Sequence, residues 1–293
     1  PPGKDPYPQR PGYAAVGTIE AVGEGIDRLS PGDRVFAATP HASACVFSPA
    51  RTICIRLPDD VSDERAVFVR MALITLAALC RADIQAGEWL GVVGLGIVGN
   101  LGAQLGREAG YHVVSVGRSK LRSERAAQCG IGPILEGGAE EISRRVRDLS
   151  GGHGCRFVLD TSGTSGGVSK ATAIAAAGGT ISLVGVPWET DTAITLSSVL
   201  QPMFSRYLKI QGGWEWDLPL YAKPDDTPAP MIPFRHSVEA NARYAVELIL
   251  SGSVVTDPLV THVLEPERAQ EAYDGLATRR DEYLGVVFDW SAV

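Results

Sequence analysis

Positive charge is in short supply in this chain: Lys and Arg total 27 against 34 Asp and Glu, a formal net charge of -7. Binding to nucleic-acid phosphates needs a basic surface, so nucleic acid is excluded as a partner class and a small-molecule substrate is favoured. Long apolar runs are missing too. The longest, Val67 to Cys80, is interrupted by Arg70 and Thr75, short of the roughly 20 apolar residues that span a bilayer, so no membrane partner is expected. The opening residues are rich in proline and have neither a basic nor an apolar leader region, so no signal peptide is expected. The chain begins at Pro1 without an initiator methionine, which leaves room for residues upstream. Cysteine is sparse and scattered. Cys45, Cys54, Cys80, Cys129 and Cys155 are five in number with no C-x-x-C spacing, which indicates neither a disulfide framework nor a clustered zinc site. Free thiols of this kind fit a cytoplasmic location.

What is present is the composition of an ordinary globular protein, 45% hydrophobic and 21% charged over 293 residues, a length that favours two domains. From Tyr13 to Leu57, short β-branched runs (Val16 to Val22, Arg34 to Ala37, Ala44 to Phe47) alternate with turn signals such as Ser30-Pro31-Gly32-Asp33. This predicts a small antiparallel barrel-like unit. Asp63 to Ala82 reads as a helix, with Ser62 placed as its N-cap.

Further on, short apolar runs alternate with helical patterns. Strands are predicted at Trp89 to Val93, His112 to Val116, Phe157 to Leu159 and Thr180 to Val184. Helices are predicted at Ile97 to Ala109, Lys120 to Cys129, Ala139 to Leu149 and Val168 to Ala177. Such alternation means a parallel sheet covered on both faces, an α/β doubly wound Rossmann fold. Leu218 to Pro233 reads as a long irregular segment. Helices at Val238 to Leu250 and Glu267 to Leu276 and a strand at Tyr283 to Phe288 close the chain.

Gly94-Leu-Gly96-Ile97-Val98-Gly99 follows a predicted strand and opens a predicted helix. In that position Gly94 permits a tight turn, Gly96 a close approach of pyrophosphate to backbone, and Gly99 close helix packing. The helix start adds N–H donors and a positive dipole end. About 20 residues beyond such a motif, NAD-binding proteins carry a carboxylate for the ribose hydroxyls. Here that place is Gly117, followed by Arg118-Ser119-Lys120-Leu-Arg122. Cations and a hydroxyl replace the carboxylate that would repel a 2′-phosphate, which predicts NADP(H).

Taken together with Gly12-Tyr-Ala-Ala-Val-Gly17-Thr-Ile-Glu-Ala-Val-Gly23, Pro31-Gly32-Asp33-Arg34-Val35 and the Thr75-containing helix, the glycine motif makes nearly the whole chain resemble the medium-chain dehydrogenase/reductase superfamily. The Pro40-His41-Ala42 step further resembles the subgroup that includes bacteriochlorophyllide hydroxyethyl dehydrogenases. The resemblance implies a GroES-like β-barrel catalytic domain over 1–72, a Rossmann NADP(H) domain over 73–245, a return to the catalytic domain over 246–293, and a homodimer. It also implies that Thr75, Thr161 and Ser162 approach the nicotinamide, and that Val184 and Gly185 meet its carboxamide through backbone.

Zinc-dependent members of the superfamily have G-H-E where this chain has Gly12-Tyr13-Ala14, and a Cys where this chain has Met71. Without thiolate and imidazole at those places a tetrahedral zinc site is not expected. A basic residue that relatives carry before the final strand is replaced by Gly285.

Hydride transfer is the cofactor's chemistry, and the protein must supply a proton or an oxyanion contact. Tyr13, at the place of the lost ligand, and His41, whose ordinary pKa lies near neutrality, are the candidates. His236 reads as a surface residue. Trp214, Trp216 and Tyr221 suit either an aromatic substrate pocket or a dimer contact. Three functions stay open at this point: a carbonyl reductase or alcohol dehydrogenase, an enoyl or quinone reductase, and a non-catalytic NADP(H)-binding sensor or scaffold.

Overall fold

The computed structural model describes residues 10–189, 191–221 and 236–291. In the N-terminal unit, β1 (Ala15–Thr18), β2 (Arg34–Ala37) and β3 (Cys54–Arg56) form an antiparallel sheet in that order, with Ala15 opposite Ala37 and Val35 opposite Arg56. The turn into β2 is set by Gly32, at φ +90°, and by Asp33, whose carboxylate accepts the Ser30 N–H at 2.8 Å and Arg56 at 2.5 Å. Those two contacts, Arg56 first, hold the Asp33 carboxyl below the usual range. The strand expected at Ala44 to Phe47 is instead a loop. Val46 is fully exposed there, while Ile53 and Ile55 in and beside β3 are buried, so the pairing that removes more apolar surface from water takes the place beside β2.

The single helix expected over 63–82 is two: α1 (Asp63–Ala66) and α2 (Val69–Cys80). Phe68 is buried at the break. Ser62 takes the N-cap conformation of α1 but makes no side-chain capping bond.

The cofactor-type domain runs through β4 (Trp89–Val93), α3 (Ile97–Glu108), β5 (His112–Val116), α4 (Lys120–Gln128), β6 (Ile134–Leu135) and α5 (Ala139–Leu149). It continues through β7 (Cys155–Asp160), α6 (Ser165–Ile174), β8 (Ala175–Leu183), α7 (Leu196–Arg206) and β9 (Lys209–Gly212). The six strands pair in parallel in the order β6-β5-β4-β7-β8-β9. The order reverses between β4 and β7, the point at which open sheets of this kind bind ligands beyond their C-terminal ends. Both faces are covered. Phe157 and Leu159 of β7 join a core shared with α2 and α3, while Val158 joins a second core with Ile142, Val146 and Ile174. The helix expected to run to Ala177 stops at Ile174 because β8 begins at once, Ala175 pairing with Cys155.

The chain then continues through α8 (Val238–Leu250), β10 (Val260–Leu264), α9 (Ala269–Thr278) and β11 (Gly285–Phe288), with β10 and β11 paired in parallel. Of the irregular segment expected from Leu218, residues 222–235 lie outside the described residues.

A buried amide ties this last part to the cofactor domain. Gln104 of α3 donates to the Val255 carbonyl at 2.9 Å and accepts the Val255 N–H at 2.7 Å. Gln104→Leu removes both bonds and strands two backbone groups in the interior, so we expect a loss of about 2–4 kcal/mol in urea unfolding. A change below about 0.5 kcal/mol would mean that water replaces the amide.

Candidate functional site

The loop from Gly94 to Gly99 has the geometry that a dinucleotide requires. Gly94 lies at φ +95°, and its N–H donates to the Val116 carbonyl at 2.9 Å. A Cβ on Gly99 would collide with the Gly94 carbonyl oxygen and lie 2.5 Å from Thr161 Oγ1, whereas a Cβ on Gly96 would meet nothing within 4 Å. So Gly99 is closed by the loop itself, and Gly96 faces open space. Helix α3 starts at Ile97 with Gly96 as N-cap, offering no capping side chain. The N–H groups of Ile97, Val98 and Gly99 therefore lack intrahelical acceptors, which suits a pyrophosphate.

The strand ends beyond this loop are fastened to one another. Thr161 Oγ1 lies 2.9 Å from the Gly94 carbonyl and 3.1 Å from that of Val93, so its hydroxyl braces the glycine loop. The N–H groups of Val184 and Gly185 both turn inward to the Asp160 carbonyl, at 2.9 and 2.8 Å. Ser162 donates its N–H to Asp160 Oδ1 at 3.0 Å, while Oδ2 is buried without a partner. Burial pushes the Asp160 carboxyl up from its usual range. Sequence reasoning passed over Asp160. Thr75 is fully buried: its hydroxyl donates to Ala72 O at 3.1 Å, and its methyl group packs on Gly102 of α3.

At the end of β5 the cationic segment divides. Gly117 closes the strand through its N–H to Leu135 O. Ser119 is the N-cap of α4 with its hydroxyl unused in capping. Lys120 pairs with Glu124 at 3.8 Å on the surface, with its side chain 90% exposed. Arg118 lies 3.9 Å from Glu189, which Arg280 also meets at 3.0 Å. Arg122 is half-buried with an unpartnered Nε. Its pKa is drawn down by burial first and then by the positive charges of Arg280 and Arg118. Three guanidinium groups thus gather about one carboxylate.

Arg280 was not foreseen. A side chain at the place of Gly285, where relatives carry a basic residue, has no room here, since a Cβ would collide with the Leu259 carbonyl, and Arg280 brings a cation from the loop before β11.

The His41 ring packs on Gly12, the residue before Tyr13. The ring lies where a Gly12 Cβ would stand, and Phe288 meets it edge-on at 5.2 Å, while the His41 backbone N–H donates to Pro11 O at 2.9 Å. Burial lowers the His41 pKa from its ordinary 6.5, so the ring is neutral at pH 7. Tyr13 is 51% exposed, with the guanidinium of Arg70 5.0 Å from its ring centre. Trp216 joins them, 5.2 Å from the same guanidinium. The other two aromatic residues do not. The Trp214 ring is exposed while its carbonyl accepts Arg81, and Tyr221 donates its hydroxyl to Pro49 O and carries Arg28 over its ring. His236 is exposed.

Tyr13 and Met71 stand where the resemblance places ligands, and no group of three or more His, Cys, Asp or Glu among the described residues could hold a metal ion.

A parallel six-stranded Rossmann sheet with a glycine loop at its switch point, joined to a GroES-like unit, defines a nicotinamide-dehydrogenase architecture. Two family models match, Alcohol dehydrogenase GroES-like domain over residues 3–58 and Zinc-binding dehydrogenase over residues 98–229. The chain belongs to the medium-chain dehydrogenase/reductase superfamily.

Among relatives, an alcohol dehydrogenase of Geobacillus stearothermophilus is 27% identical over 219 residues, 64% of this chain and 64% of that enzyme. Human sorbitol dehydrogenase is 24% identical, the match covering 90% of this chain and 75% of that enzyme. In solved structures, alcohol dehydrogenase TADH from Thermus sp. ATN1 is similar at a TM-score of 0.72 and 25% identity, over 95% of this chain and 83% of that one.

Proposed function

We propose that the protein is a zinc-independent, NADP(H)-dependent oxidoreductase acting on a carbonyl or alcohol of a small organic substrate. The observation that carries this reading is the glycine loop, open at Gly96 and closed at Gly99, with a cluster of arginines at the end of β5. The nicotinamide, when bound, supplies or accepts the hydride. The chain's own residues then have separable tasks. The first-turn N–H groups of α3 hold the pyrophosphate, and Arg118, Arg122 and Arg280 hold the 2′-phosphate. Thr161 keeps the loop in shape. Ser162, Val184, Gly185 and the buried Thr75 shape the nicotinamide end. Tyr13 or His41 exchanges the proton.

Residues 1–72 and 246–293 form the catalytic part and 73–245 the cofactor part. The reading includes a homodimer and a cytoplasmic location. In support of the dimer, α7 exposes Leu196, Leu200 and Phe204 beside the edge strand β9, the kind of apolar face that subunits cover.

NADPH should bind more tightly than NADH. A charge-assisted contact is worth roughly 1.5–3 kcal/mol, so the ratio is expected to be about 10 or more. Arg118→Ala and Arg280→Ala should each narrow it in a fluorescence titration. Equal affinities of the two cofactors for the wild type would end the NADP(H) assignment.

The reaction itself is tested by NADPH oxidation across carbonyl, enone and quinone panels, together with elemental analysis of the protein. Turnover of carbonyls without stoichiometric zinc is expected. One tightly bound zinc per chain, lost together with activity on chelation, would overturn zinc independence. Turnover confined to enones or quinones would move the reaction to C=C or quinone reduction. NADPH binding with no turnover of any panel member would leave a sensor or scaffold.

A further inference from the structure

Arg70 is a buried cation in an apolar helix. It is 4% exposed in α2, and its Nη2 donates to Glu215 Oε1 at 2.5 Å. Arginine–carboxylate pairs are frequently bidentate, the two N–H groups of one edge closing on the two oxygens. This one is not. Nε is buried without an acceptor, and no acceptor for Nη1 is found among the described residues.

The surroundings explain where those donors lie. Glu215 and Trp216 follow Gly213, whose N–H donates to Leu183 O at 2.8 Å and which packs on Val184. They therefore lie just beyond the C-terminal end of β8, on the ligand-binding edge of the sheet. Tyr13 comes from the N-terminal unit on the opposite side. The guanidinium lies over both aromatic rings, 5.0 Å from the centre of Tyr13 and 5.2 Å from that of Trp216, contacts that favour its charged form there.

We propose that Arg70 is the electrophile of the cleft, its remaining Nη1 donor hydrogen-bonding the carbonyl or hydroxyl oxygen of the substrate, while Nε stays buried on the Glu215 side of the fork. This rests on the oxidoreductase reading given above. Glu215 already balances the charge, so a second carboxylate would be repelled and a neutral acceptor oxygen is the class that fits. As that oxygen gains negative charge during reduction, the preorganised guanidinium stabilises it and keeps its own proton.

The test uses the full chain with NADPH bound and titrates it with benzamide, whose carbonyl oxygen accepts hydrogen bonds but is not reduced under these conditions. Benzamide should bind the wild-type complex about tenfold or more tightly than the Arg70→Met complex. Arg70→Lys, which keeps the charge but not the planar fork, should fall between them, and NADPH affinity should stay within about twofold throughout. If Arg70→Met does not fold, Trp216→Leu serves in its place, with benzamide binding expected to weaken about fivefold through loss of the stacked ring.

Wild-type and variant complexes binding benzamide equally, or a wild-type complex that does not bind it, would overturn the assignment of Arg70 alone. Absence of NADPH binding by the wild type would instead overturn the proposed function, and the Arg70 assignment with it.

Discussion

Gly99→Ala is expected to lower NADPH affinity about 100-fold or more and to destabilise the protein in thermal unfolding. The added methyl group would collide with the Gly94 carbonyl oxygen and stand 2.5 Å from Thr161 Oγ1. Neither neighbour can yield cheaply. Thr161 is within bonding distance of the carbonyls of both Val93 and Gly94, and the Gly94 N–H is committed to Val116. To admit the methyl, the loop must move away from the helix start, and the donors of α3 then lose their common aim. Spread over a pyrophosphate that draws on several N–H groups, that loss exceeds one hydrogen bond.

Gly96→Ala separates the two effects. Its Cβ meets nothing within 4 Å, so unfolding should be unchanged while NADPH affinity falls about tenfold, because the methyl group occupies the space reserved for the phosphates. If Gly99→Ala binds NADPH like the wild type, this loop is not the cofactor site.

The parts of the fold that the sequence disclosed are those with a local signature. β4, α3 and β5 were legible because an apolar strand, a glycine turn and an amphipathic helix follow one another within a short span. The pair α7 and β9 was not. α7 has no buried residue and contains Pro202, and β9 is an edge strand with only its middle residues partly covered, so neither offers a periodic apolar pattern to read.

The site divides in the same way. Gly94, Gly96 and Gly99 were readable because one turn imposes all three. Asp160, Arg280 and Glu215 were not, since each acts on residues far away in the chain that only the fold brings near. Arg70 did leave a trace, as a charge inside an apolar helical run. A residue of this type is almost never buried without a partner, so its interruption of the run was a signal for a partnered interior charge.

Tyr13→Phe is expected to lower turnover about 100-fold while leaving NADPH affinity within about twofold of the wild type. The phenol is half exposed, its ring against Arg70. Removing one oxygen leaves that stack in place, so a loss of rate reports the hydroxyl and not the packing.

His41→Ala distinguishes the other candidate, and the two differ in pH dependence. Because burial lowers the His41 pKa below 6.5, the ring is neutral at pH 7, the form that a proton acceptor in alcohol oxidation requires. If His41 carries that proton, the wild-type oxidation rate falls as pH drops through this depressed pKa, and the His41→Ala rate is already low and flat across the same range. The stability linked to His41 has the same sign. Its depressed folded pKa contributes stability above the unfolded value, and that contribution is lost as pH falls through the folded value. A pH-rate profile at saturating cofactor, run beside thermal unfolding at each pH, therefore separates loss of chemistry from loss of fold. Should both variants turn over substrate near the wild-type rate with unaltered cofactor binding, the proton travels by the cofactor ribose, by water or within the substrate, and neither Tyr13 nor His41 is catalytic.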